Sequence, residues 1–126
     1  LKKGSTFLSL TPGSREKHLY CIITDPDKNG KVIIVNFTKR HLESDTSCIA
    51  KKGEHRFLNK YTESIVQYSE ATVVLLSNIE NAIQSSPDNF FKHDDLSTEL
   101  LNRIISGAEI SEFLNRSCWN FFNRKK

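Results

Sequence analysis

Residues His18 to Thr38, HLYCIITDPDKNGKVIIVNFT, decide the fold. His18 to Thr24 reads as a strand. Leu19, Cys21 and Ile23 line one face and Tyr20 and Ile22 the other. Both faces are apolar, so the strand is expected in the centre of a sheet. Asp25 to Gly30 is dense turn chemistry, with Asp-Pro followed by Asn29-Gly30, and Asn-Gly accepts the positive φ that a tight hairpin needs. Lys31 to Thr38 is the returning strand, rich in β-branched residues.

Working outward, Leu1 to Leu10 reads as a polar lead-in with a short apolar alternation at Phe7, Leu8 and Leu10, broken by Pro12-Gly13. Beyond the hairpin, Lys39 to Asp45 is a charged loop and Ser47 to Ala50 a short strand. Lys51 to Glu54 is a turn, and Glu63 to Tyr68 and Ala71 to Leu75 are strands. The period then changes. Ser77 to Ser85 fits a helix with Ile79, Ala82 and Ile83 on one side. Asp94 and Asp95 are expected to cap a helix carrying Leu96, Leu100 and Ile104, with Gly107 as its stop. A last helix is expected from near Ser111, carrying Phe113, Leu114 and Trp119.

Strands followed by helices make the chain α+β. The 126 residues fit a single domain, with residues 1–75 as the sheet and 76–126 as the helical part. A small, strongly bent antiparallel sheet closes most easily as an SH3-like barrel. No apolar run approaches the roughly 18 residues a membrane span needs. The chain starts at Leu1 and has no Met, which reads as a trimmed or processed start.

The net charge of +3 hides an asymmetry: residues 1–60 hold 12 Lys/Arg against 6 Asp/Glu, and residues 61–126 hold 6 against 9. The basic half fits either a polyanionic ligand or ordinary solvated lysines. Cys21, Cys48 and Cys118 are odd in number and lack CxxC spacing, which favours a reducing, cytoplasmic setting over a disulfide framework. There is no phosphate-binding Gly-rich loop, no HExxH, no EF-hand loop and no GxSxG elbow. The spacing of His41, Cys48 and His55 matches no usual zinc pattern, so no metal or other cofactor is expected.

The informative cluster is Asn36, Thr38, Lys39, Arg40 and His41 at the exit of the second strand. Asn36 and Thr38 share a face. Asn36 either ties down a neighbouring loop or belongs to a polar patch beside Arg40. Hairpin geometry brings His18 towards Thr38 and Arg40. Such a set suits metal-free cleavage of RNA, which needs a base, an acid and donors for the phosphorane. His18 and His55 are the candidates for proton transfer, although His55 in GEHRF also reads as a plain surface histidine. Thr38 and Asn36 would position the substrate, Arg40 would hold phosphate, and Lys39, Lys51 and Lys52 would bind the chain.

The segments HLYCIITDP, KVIIVNFTKR, DTSCIAKKGEHRF and SIVQYSEATVV resemble the PemK/MazF-like toxin family over roughly half of the chain. The resemblance implies an SH3-like barrel with C-terminal helices, a homodimer, and RNA cleavage controlled by an antitoxin protein, with Thr38 at the place of the family's active-site threonine. Three features depart from it. The family's N-terminal strand with a Gly-Asp start is not recognisable. Val35-Asn36-Phe37-Thr38 lacks the family's Pro, and the Arg-Pro before the first clear strand is absent, with His18 near its place. Arg40 or His18 would stand in for that arginine, or the protein is a non-catalytic binding module for nucleic acid or protein on the same fold.

Overall fold

A computed structural model describes residues 1–10 and 16–125, so the Pro12-Gly13 break lies outside the described residues. The strands are β1 (Thr6–Leu10), β2 (Lys17–Ile22), β3 (Lys31–Lys39), β4 (Ile49–Lys51), β5 (Glu63–Val66), β6 (Thr72–Leu75) and β7 (Phe90–His93). The helices are α1 (Leu76–Ser85), α2 (Thr98–Ile110) and α3 (Arg116–Lys125). The fold is α+β, with an antiparallel sheet and C-terminal helices, as the sequence led us to expect. Among the described residues no helix is long and apolar enough to cross a membrane.

The hairpin β2–β3 forms around Asp27. Its carboxylate accepts from the backbone N–H groups of Asn29 and Lys31, both at 2.9 Å. Gly30 sits at φ +79°, where a side chain would strain the backbone. The pleat then divides the apolar side chains between two layers. Leu19, Cys21, Ile23, Ile33, Val35 and Phe37 face a core shared with Leu100, Ile104, Phe121 and Phe122. Ile22 and Val32 face a second core with Phe7 and Ile79, and Tyr20 and Ile34 pack against it. Helices therefore cover both faces, which explains why the central strands carry apolar residues at nearly every position.

Two strands arise where none was expected. In β1, Phe7 turns to one core and stacks on Tyr20 with ring centroids 5.4 Å apart, while Leu8 turns to the other. β7 lies within the part read as helical and pairs with β1, matching Thr6 with His93 and Leu8 with Phe91. The path through the sheet is β4-β5-β3-β2-β1-β7, with β6 on the same edge of β3 as β5. This sheet does not close into the expected barrel, because its outermost strands β4 and β7 do not pair. Single side-chain bonds span that side instead, such as His55 Nε2 to the Asp94 carbonyl at 2.8 Å.

The helix ends also differ in detail. Ser97, not Asp94 or Asp95, caps α2 and accepts from Leu100 N–H at 3.1 Å. The helix runs through Gly107, whose missing side chain lets α2 approach Tyr68 and Ser47 closely. α3 starts at Arg116 and buries Cys118, Phe121 and Phe122, leaving Phe113 and Trp119 exposed.

Candidate functional site

β2 and β3 pair only from Tyr20 opposite Asn36 to Ile22 opposite Ile34. Beyond Tyr20, Lys17 to Leu19 stay with β1, while Phe37 to Lys39 pair with β5. The two strands therefore diverge, and a cleft of about 850 Å³ opens at their ends. Glu16 to Leu19 come from one wall and Phe37, Thr38, Lys39 and His41 from the other; residues 56–61, Ser64 and His93 complete the lining. An aqueous opening between strand ends needs polar and cationic side chains there, which is what interrupts the apolar run of each strand.

Four cations, Lys17, Lys39, Arg56 and Lys60, line this cleft against one acid, Glu16. Aromatic rings stand among them. Lys39 Nζ and Lys60 Nζ each lie 5.3 Å from the Tyr61 ring centroid. Lys17 Nζ lies 4.4 Å from that of Phe91. Arg56 is partly neutralised by Asp94, Nε to Oδ2 at 3.0 Å, in an exposed pair.

The imidazoles have distinct settings. His18 Nδ1 lies 3.4 Å from the Phe37 carbonyl and can donate only to it, so a neutral His18 keeps Nε2 as its acceptor nitrogen. His93 is the reverse. Its Nδ1 accepts the Asp94 N–H at 2.8 Å, which leaves the proton of the neutral ring on Nε2. Burial, reinforced by neighbouring His55, holds the His93 pKa below its ordinary value. The rings of His55 and His93 are 4.9 Å apart.

Of the residues nominated from sequence, His18, Thr38 and Lys39 meet in the cleft. His41 of the same cluster also lines it, whereas Asn36, Arg40, His55, Lys51 and Lys52 do not. Asn36 is buried and donates to Gln67 Oε1 at 2.7 Å, so it ties the chain after β5 to β3. Arg40 pairs with Glu63 at 2.7 Å. His55 is buried with both nitrogens bound: Nε2 donates to the Asp94 carbonyl, and Nδ1 accepts from Phe57 N–H at 3.0 Å. Lys51 and Lys52 are exposed at the β4 turn. Conversely, sequence reasoning did not nominate Lys17, Arg56, Lys60, Tyr61 or His93. Lys60-Tyr61 carried a local signal, an aromatic beside a cation. His93 carried none, because only the β1–β7 pairing brings it to this place.

Among the described residues no group of three or more His, Cys, Asp or Glu gathers to hold a metal ion. The three thiols are buried and unpaired, and burial raises the pKa of each, so none is poised as a thiolate nucleophile. No family model matches the chain, and no curated protein or solved structure matches it either.

Proposed function

We propose that the cleft binds single-stranded RNA. The observation that carries this reading is the four-to-one excess of cations over acids around a cleft that also holds the Tyr61 ring. Cationic grooves with aromatic platforms suit single strands, because phosphates take the charge and unstacked bases take the rings. RNA is the polymer to which the resemblance of residues 18–74 points. The homodimer and the antitoxin partner that the resemblance implies belong to the same proposal, as does the cytoplasmic setting read from the cysteines.

Labelled single-stranded RNA titrated at 50 and 200 mM salt tests the reading. Neutralising three phosphates gives a slope near −2 in log K against log salt, so affinity falls on the order of twentyfold. Lys39→Gln with Lys60→Gln flattens that slope, while Lys51→Gln with Lys52→Gln, outside the cleft, leaves it nearly unchanged. Absence of binding, or an equal effect of the two pairs, overturns the assignment.

A second reading, metal-independent cleavage, rests on the opposite tautomers of two cleft imidazoles. His18 Nε2 would accept the 2′-hydroxyl proton, and the His93 Nε2–H would donate a hydrogen bond to the charged phosphorane. The leaving 5′-oxygen would take its proton from water. RNA incubated with the protein and a chelator separates the readings. Cleavage that His18→Ala abolishes while binding persists supports the enzyme; intact RNA under the same conditions leaves the non-catalytic module.

A further inference from the structure

We propose that Tyr61, Lys39 and Lys60 form a subsite for one nucleotide unit, in which the ring stacks on the base and the two lysines hold the flanking phosphates. This inference rests on the RNA-binding reading of the cleft and gives it a definite point of contact. Tyr61 is half-buried, and it lies in the cleft lining with both lysines. Both ammonium nitrogens sit 5.3 Å from the ring centroid, so they are no more than twice that distance apart. Lys39 ends β3, where it pairs with Ser64 of β5, and Lys60 lies in the loop before β5. One lysine is thus anchored to the sheet and the other rides on the loop.

In the free protein the ring quadrupole attracts the ammonium groups, which keeps two like charges close together at one aromatic. An entering base competes for the ring. The ammonium groups it displaces turn to the phosphates on either side of that base, so no charge is left without a counterpart. Stacking on an aromatic is tolerant of sequence, because every base has a π-face. The subsite therefore distinguishes a strand with bases from a bare sugar–phosphate chain and discriminates weakly among the four bases.

The test uses two labelled oligoribonucleotides of equal length, one with bases and one abasic throughout. Wild-type protein binds the base-bearing strand about tenfold more tightly, the size of one base–aromatic stack. Tyr61→Ala binds the two alike, and Tyr61→Phe, which keeps the ring and the fold, retains the preference. Equal wild-type affinity for both strands, or a preference that survives in Tyr61→Ala, overturns the subsite while leaving salt-dependent RNA binding intact. Failure of both strands to bind wild type removes the cleft reading and the subsite together.

Discussion

Replacing Gly107 with Ala sets helix propensity against packing, and packing decides the outcome. Alanine in a helix interior is favoured over glycine by about 1 kcal/mol. At this position, however, an added Cβ would collide with the Tyr68 hydroxyl and lie 2.9 Å from the Ser47 carbonyl oxygen and 3.0 Å from Cys48 Cβ. Tyr68 is fully buried and donates to the Ile104 carbonyl at 2.6 Å, so it has no room to retreat. Overpacking costs about 1–3 kcal/mol. Disturbing the buried hydroxyl adds about 1–3 kcal/mol. Subtracting the gain in propensity leaves a destabilisation of about 3 kcal/mol. Urea unfolding followed by far-ultraviolet circular dichroism reads this as a lower midpoint at unchanged slope. Tyr68→Phe removes the first atom in the way, so the double variant shows a favourable coupling of about 1 kcal/mol. A higher midpoint in Gly107→Ala, or strict additivity with Tyr68→Phe, refutes the close approach. The effect reaches the cleft. Arg103, one turn earlier, donates to the Ile49 carbonyl at 2.6 Å and pairs with Glu54 just before the loop that forms a cleft wall.

Two further outcomes are expected. His55→Ala loses about 2 kcal/mol of stability, because it removes a buried ring with both of its backbone bonds and leaves the Phe57 N–H without its acceptor, while the Asp94 carbonyl keeps the Thr6 hydroxyl; a change within about 0.5 kcal/mol, as at an ordinary surface site, contradicts that role. For His93, a carbon-detected imidazole titration gives a midpoint below 6.5, because burial and His55 disfavour the charged ring. Its folded pKa being depressed, its contribution to stability is full above the unfolded value and is lost as pH falls through the folded one. A midpoint at or above 6.5 contradicts the buried setting beside His55.

What could be read from sequence was local. Residues 18–38 carry turn chemistry, β-branched residues and apolar side chains on both faces, and the structure places them as a central hairpin between two cores. β7 was not legible, because it is short and its partner β1 is more than eighty residues away in the chain; β1 read only as a lead-in, although its five positions pair with β2 close by. Phe90-Phe91-Lys92-His93 shows no period of its own. Gly107 was misleading for a physical reason: glycine ends many helices through its backbone freedom, but here it serves by having no side chain. Barrel closure depends on whether the outer strands meet, which no local pattern encodes. In the site, the antiparallel register led to His18 and Thr38 together. Asn36 and Arg40 shared the expected face by alternation, yet Gln67 and Glu63 reach them first.

The place of the cleft follows from the pairing of β3. This nine-residue strand meets β2 on one edge and both β6 and β5 on the other. Its end beyond Asn36 remains fixed by β5, while β2 is drawn away by five paired positions with β1. Neither strand can rejoin the other without giving up a ladder it already has, so the opening is built into the topology and does not depend on a flexible loop. The third wall is different. Residues 52–62 join β4 to β5 and are held by the Arg103–Glu54 pair and by both nitrogens of His55. Two rigid strand ends therefore face a wall that carries Arg56, Lys60 and Tyr61 and is secured by a few polar bonds. The tie between His55 Nε2 and the Asp94 carbonyl sets the residue before Asp94, His93, against the same wall, its ring 4.9 Å from that of His55.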